Sequence, residues 1–248
     1  LVLRADPRFL LLKKLLEDGT LGRVQRIAWT VTDCFRSEAY YRSAEWRGSF
    51  RGEGGGLLVN QCSHQLDLWQ WLFGMPVRVR AFLGLGRFHS IEVEDEASAF
   101  LEYADGATGV FVASTGEAPG TNRLEVAGER AKVVVEGDAV ELWRNRVSTP
   151  DRIRSESARE KGPTVDHERI VLPVGGLDGA RLLQNFVRAI RGHEPLLAPA
   201  AEGLASVELA TALLEAGLTG RTVELPLEQG GALKNEAHPS ASSDPVRS

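Results

Sequence analysis

Apolar residues recur along this chain in two rhythms, and the changes of rhythm mark its elements. Phe9, Leu12, Leu15 and Leu16 fall at helical spacing behind Asp6 and Pro7, an acidic cap followed by a proline at the first helical position, and the run stops at Gly19. Val24, Ile27, Trp29 and Val31 then alternate against polar neighbours and predict a strand. The aromatic and arginine-rich stretch YYRSAEWRGSFRGEGGG has neither rhythm and predicts a long loop, of the kind that in compact domains usually serves function or moves. Helical spacing returns from Leu57 to Phe73, where Leu58, Cys62, Leu66, Trp69 and Phe73 share one face.

The next segments read as strands: VRVRAFLGLG, DEASAFLEY, ATGVFVAST, NRLEVAG and AKVVVEGDAVELWR. Asp105-Gly106 between two alternating runs predicts a hairpin. A polar segment from Ser148 to Glu168 precedes a short strand, RIVLPV. GARLLQNFVRAIRG and AAEGLASVELATALLEAG read as helices, and TVELPL as an edge strand because of its proline. No internal repeat is present. Consecutive strands with helices grouped at either end predict an α+β class, a large open, mostly antiparallel sheet with helices covering one face. The other face is then free for a partner subunit, which predicts an oligomer.

Composition narrows the class. The 248 residues are 43% hydrophobic, enough for a sizeable core, and the net charge of −5 with scattered basic residues predicts no nucleic-acid partner. Two cysteines, Cys34 and Cys62, without CxxC or Cys/His spacing predict neither a disulfide scaffold nor a zinc site and fit a cytoplasmic address. No run has the length of a membrane span, and no signal-peptide pattern opens the chain. Residues 229–248, polar and rich in Ser, Pro and Ala, predict a disordered tail.

The glycines invite a test for a dinucleotide fingerprint, Gly-x-Gly-x-x-Gly between a strand and a helix. Gly52, Gly54, Gly55 and Gly56 fail it because the third position falls on Leu57, and Gly84 and Gly86 fail it because His89 stands there. Neither Val174-Gly175-Gly176 nor any Walker pattern supplies an alternative, so no complete cofactor site is expected in this chain. Gly54 to Gly56 read as a turn that lets the backbone approach closely, ahead of free helix N–H groups able to meet an anion or polar ligand.

On the polar side of the following helix, Asn60, His64, Asp67 and, more marginally, Gln61 line up at i, i+4 and i+7. No Lys, Glu or Arg occurs between Leu57 and Phe73, so this edge predicts a half-buried cleft rather than an ordinary solvent face. Such a set suits proton transfer: the imidazole exchanges a proton, Asp67 orients the ring, and the Asn60 amide bonds a hydroxyl or carbonyl oxygen. Ser63 adjoins His64 but points away from it, and one His with one Asp makes too few ligands for a metal. Arg36, Tyr40, Tyr41, Trp46 and Arg47 of the loop suit either a sugar ring and its hydroxyls or the packing of a domain border. His89 reads as a loop histidine, Asn122 and Arg123 as ambiguous, and Glu92, Glu94, Asp95 and Glu96 as a solvated strand start.

The run GEGGGLLVNQCSHQLDLWQWLFGMP, with DPRFLLLKKLLEDGTLGRVQRI ahead of it and IEVEDEASAFLEYADGATGVFVASTGEAPGTNRLEV behind, resembles the C-terminal domain of the glucose-fructose oxidoreductase/inositol dehydrogenase (Gfo/Idh/MocA) family. The likeness continues through LLQNFVRAIRGHEPLLAPAAEGLASVELATALLEAGLTGRTVELPL and spans Leu3 to about Leu227. It implies a substrate-binding and oligomerisation domain over residues 6–228, preceded in residues 1–5 by a remnant of the last strand of a Rossmann domain. It also implies NAD or NADP as cofactor, held mainly by that N-terminal domain, and a homodimer or homotetramer through the sheet face. The implied reaction is hydride transfer between the nicotinamide and a carbinol of a sugar, anhydrosugar or polyol. His64 and Asn60 match the catalytic positions, while Arg36, Tyr41, Trp46, Arg47 and Asp67 are expected at the substrate. Many members carry Asp where Asn60 stands, and Asn relays no proton. The family's Glu-Lys-Pro lysine and its glycine fingerprint are not in this sequence, which leaves a second reading: a stand-alone, cofactor-free domain that binds a sugar or a protein partner.

Overall fold

In a computed structural model that describes residues 2–155, 164–172 and 179–227, the predicted hairpin is β3 (Glu94–Glu102) and β4 (Thr108–Ser114), joined where Gly106 takes a φ of 88°. Around it nine strands form one sheet: β1 (Val24–Val31), β2 (Arg78–Leu85), β3, β4, β5 (Asn122–Gly128), β6 (Ala131–Glu136), β7 (Ala139–Asn145), β8 (Val165–Val171) and β9 (Val223–Glu224). Their order is β8-β7-β6-β5-β1-β4-β3-β2-β9. Among the described strands only the β1–β4 pairing is parallel, so the sheet is open and mostly antiparallel as expected. The last strand, with its proline-containing flank, lies at the edge where a missing N–H costs no ladder bond.

The helices that pack on the sheet cover one face. α1 (Pro7–Glu17) opens with the Asp6 side chain accepting from the Arg8 N–H at 2.9 Å, the cap that the sequence announces. It brings Phe9 against Trp29 of β1, with ring centroids 5.8 Å apart. Trp69 of the long site helix stacks on Trp29 at 6.4 Å and meets Phe111 of β4 edge-on at 5.8 Å. Gly109 leaves the room for that indole, since a Cβ there would lie 2.5 Å from the Trp69 ring. Leu58, Cys62, Leu66 and Trp69 are all buried, so the apolar stripe read from the sequence is the core stripe.

Three local differences matter for function. The loop expected between Tyr40 and Gly56 contains two single-turn helices, α2 (Glu38–Arg42) and α3 (Phe50–Glu53), each capped by a serine, Ser37 and Ser49. The helix expected from Leu57 is regular only as α4 (Ser63–Phe73), because residues 57–62 form turns held by Asn60 N–H to Gly56 O and Cys62 N–H to Leu57 O. The strand-like start is one 3-10 turn, Val2–Ala5, since Arg4 must turn inward to reach Asp67. The polar segment after β7 holds α5 (Thr149–Arg154) and the first half of β8. α6 (Gly179–Ile190) and α7 (Ala200–Thr219) follow, and α7 packs against β2 and α4. The expected tail and Val174-Gly175-Gly176 lie outside the described residues.

Candidate functional site

The three glycines prepare the site without facing a ligand. The Gly56 and Leu58 N–H groups both donate to the Glu94 carboxylate, at 2.9–3.0 Å, so the anion that meets this turn belongs to the chain itself. Gly56 is required by proximity: a Cβ there would meet the Glu94 carbonyl at 2.4 Å and Val93 at 2.6 Å. Glu94 and Asp95 are fully buried, which corrects the expectation of a solvated strand start. Burial pushes the Glu94 carboxyl up, while the N–H bonds from Leu58 and Gly56 hold it down. The Asp95 carboxylate accepts the N–H groups of Arg87, Phe88 and His89 and faces the His89 ring at 2.9 Å. The other His89 nitrogen donates to the Arg36 carbonyl, so this histidine is a buried tie beneath the loop.

Asp67 also turns inward. Its carboxylate takes two bonds from Arg4, at 2.6 and 2.8 Å, and one from Ser206 Oγ at 3.0 Å, with both charged side chains 1% exposed. The expected substrate role of Asp67 is therefore corrected, because its surface is spent on joining α4 to Arg4 and α7. Tyr41 is also held inward: it is 6% exposed, its hydroxyl lies 3.1 Å from Thr115 Oγ1, and its ring packs on His89, although it borders a cleft with Arg47. Adjacent side chains of one short helix point apart, and Tyr40 is the one that meets Gln61, Arg36 and Arg47.

Tyr40 is the hub. Its hydroxyl accepts from Gln61 Nε2 at 3.2 Å and from Arg47, and its ring lies under the guanidinium groups of Arg36 at 4.9 Å and Arg47 at 4.1 Å. Trp46, 45% exposed, stacks on the Arg47 guanidinium at 4.3 Å. The Asn60 amide donates to Glu53, whose other oxygen accepts the Gly48 N–H at 2.8 Å. His64 is half-buried on the first turn of α4, and burial lowers its pKa against the opposing pull of Asp67, favouring the neutral ring.

Among the described residues, five buried side-chain nitrogen or oxygen atoms have no hydrogen-bond partner: Arg36 Nε, Arg47 Nε, Gln61 Oε1, His64 Nδ1 and Gln65 Oε1. All five come from the loop after β1 and the start of α4. Buried polar atoms are rarely left unmade, so their concentration marks a place where a partner is wanted. Gln65 borders a cleft of about 370 Å³ with Asp33, Asn122 and Trp29. Asn122 accepts from the Trp29 indole at 3.1 Å and donates to Asp33, and Arg123 pairs with Glu125 and Glu136. The sequence marks Gln61 only marginally and Gln65 not at all, although the lack of Lys, Glu and Arg from Leu57 to Phe73 is the signal that contains them. No group of three His, Cys, Asp or Glu side chains that could hold a metal occurs among the described residues, and no described helix is long and apolar enough to cross a membrane. Nor does the glycine turn fit a dinucleotide phosphate, since its N–H groups already hold Glu94.

Comparison with known proteins agrees with this architecture. A family model described as the GFO/IDH/MocA C-terminal domain matches residues 9–134. The uncharacterized protein y4oX of Sinorhizobium fredii is 26% identical over 221 residues, which is 86% of this chain and 58% of that protein. The WlbA dehydrogenase of Bordetella pertussis, solved with NADH and UDP-GlcNAcA, superposes with a TM-score of 0.70 at 27% identity, over 91% of this chain and 61% of its own. A levoglucosan dehydrogenase solved with NADH and levoglucosan shares the fold, with a TM-score of 0.68 at 19% identity over 91% of this chain and 65% of its own. The chain thus spans about three fifths of the length of the relatives it matches.

Proposed function

The chain belongs to the Gfo/Idh/MocA family through that C-terminal domain, and from this premise we propose that it is the substrate-binding part of a nicotinamide-dependent oxidoreductase acting on the carbinol of a sugar, anhydrosugar or polyol. The observation that carries the reading is the set of five unpartnered buried polar atoms on the loop after β1 and the start of α4, His64 Nδ1 among them. Two are donors and two are amide oxygens, the mixture that a polyhydroxylated ligand satisfies, and the fifth is the imidazole nitrogen. Relatives solved with NADH beside UDP-GlcNAcA or levoglucosan support the same class.

In this reading His64 is the catalytic residue. A ring kept neutral by burial accepts the hydroxyl proton as the carbinol is oxidised and returns it in the reverse direction. The dinucleotide, NAD or NADP, would supply the hydride acceptor and would be held mainly by residues other than those of this chain, whose glycine turn already holds Glu94. Asn60 positions a sugar oxygen while Glu53 fixes its amide, and it relays no proton. Trp46 offers an aromatic face for the apolar side of a ring, and Arg36 and Arg47 donate to its oxygens. The outer face of the sheet, where Phe82 is 70% and Phe100 44% exposed, is the proposed contact between subunits of a homodimer or homotetramer.

The test is steady-state turnover of the full polypeptide with a panel of aldoses and polyols and both cofactors, for wild type and His64→Ala. A loss of about 100-fold or more in kcat with little change in cofactor affinity is expected. Unchanged turnover would remove His64 from the chemistry.

A further inference from the structure

Arg36 and Arg47 pose an electrostatic problem that the sugar reading alone does not solve. Both guanidinium groups lie over the one Tyr40 ring, at 4.9 and 4.1 Å, so the two charges are held no farther apart than the sum of those distances. Each buries its Nε without a partner. Neither forms an ion pair with any described carboxylate, although the molecule pairs most of its other arginines. Three acidic side chains of the same loop are committed elsewhere: Glu53 accepts from Gly48 and Asn60, Glu38 accepts the Ser90 N–H at 2.8 Å and pairs with Arg42 at 3.8 Å, and Asp33 accepts from Asn122; the fourth, Glu45, is exposed and forms no ion pair with either arginine. The bonds the two arginines do make go to neutral acceptors, the carbonyls of Cys34 and Phe35 for Arg36 and the Tyr40 hydroxyl for Arg47.

Cations that give up water are ordinarily paired with an anion, because the loss of hydration is recovered by little else. The face of an aromatic ring offsets part of it, but two like charges on one ring repel each other. A guanidinium presents its Nε–H together with a terminal N–H as a fork that matches two oxygens of a carboxylate or phosphate. Resting on the sugar-binding reading above, we infer that the substrate is an anionic sugar whose carboxylate or phosphate is gripped by Arg36 and Arg47, while the carbinol to be oxidised faces His64. The arginine pair then sets both specificity and orientation, fixing one end of the sugar by charge. A neutral polyol would leave two cations unpaired and be bound less well.

The inference is tested by calorimetric titration of the 248-residue chain with D-glucuronate, D-glucose 6-phosphate and D-glucose, in wild type, Arg36→Gln and Arg47→Gln. One or both anions should bind at least about tenfold more tightly than glucose, and the advantage should collapse in each variant. The better of the two anions identifies the group as carboxylate or phosphate. Equal affinity for glucose and the anions, or a preference that survives both substitutions, overturns the inference and leaves the sugar reading standing. Absence of binding by all three sugars counts against the sugar reading itself. If NADH, titrated alongside, binds this chain and its affinity falls in the variants while sugar affinities do not, the anion belongs to the cofactor and the inference fails. Should a variant unfold, wild type in about 1 M salt decides instead: the preference for the anion must shrink there while glucose affinity holds.

Discussion

Arg4 and Asp67 face each other in a two-point ion pair, Nε to Oδ2 at 2.8 Å and a terminal nitrogen to Oδ1 at 2.6 Å, with both side chains 1% exposed. Arg4 also bonds the Leu197 carbonyl at 3.1 Å and pairs with Glu202, so one guanidinium joins the residues before α1, the middle of α4 and the start of α7. His64 stands one turn before Asp67 on the same helix, and its position depends on how firmly that helix is held.

Removing one side of a buried pair strands the other without water or partner. Arg4→Ala and Asp67→Ala should each cost about 3–5 kcal/mol, and the double substitution clearly less than their sum. A denaturant-based double-mutant cycle measures this, and strictly additive costs would mean that the two side chains are not coupled.

Two neighbouring glycines should respond differently to the same change. At Gly54, φ is +79° with open space around a new Cβ, so Gly54→Ala should cost about 1 kcal/mol of backbone strain. At Gly56 the Cβ would sit 2.4 Å from a backbone carbonyl, so Gly56→Ala should be severely destabilising and disturb the turn ahead of α4. Thermal melts of the two variants compare them directly; similar losses would contradict the close approach.

Glu94 gives a third comparison. Glu94→Ala leaves the Gly56 and Leu58 N–H groups buried without an acceptor and should cost about 2–4 kcal/mol, whereas Glu94→Gln keeps an acceptor and should cost less. Because burial raises the folded carboxyl above the ordinary 4.5, the folded state holds its proton longer than the unfolded chain. The contribution of Glu94 to stability should therefore be largest below that value and decline as pH rises through the raised one, a slope that Glu94→Gln removes. Urea melts between acidic and neutral pH, wild type against Glu94→Gln, read that difference.

His64 should titrate below the ordinary histidine value of 6.5. Its folded pKa is depressed, so the stability it contributes is present above 6.5 and is lost as pH falls through the lowered value. Nuclear magnetic resonance of the ring, with His64→Gln to assign it, reports the midpoint; a midpoint above 6.5 would mean that Asp67 outweighs burial at this ring.

The sequence by itself determined the class of the fold and the segment that matters. Alternation identified the strands from Val24 to Trp143, Asp105-Gly106 identified the hairpin, and the five-residue apolar stripe from Leu58 to Phe73 predicted which side of α4 enters the core. These are local signals, because side-chain period and turn chemistry are set by residues a few positions apart. The stretch from Leu57 to Phe73, without Lys, Glu or Arg, likewise drew attention to His64, Asn60 and Gln61. What only the tertiary structure decided depends on partners distant in sequence. Asp67 looked like a neighbour of His64 until Arg4, 63 residues away, took its carboxylate. Glu94 looked solvated until Gly56 and Leu58, 38 and 36 residues away, proved to need an acceptor. Tyr40 and Tyr41 are adjacent and chemically alike, yet Thr115 and His89 claim one and the arginine pair claims the other. A polar residue's role follows from which distant group satisfies it, and that is known only once the chain has brought the two together.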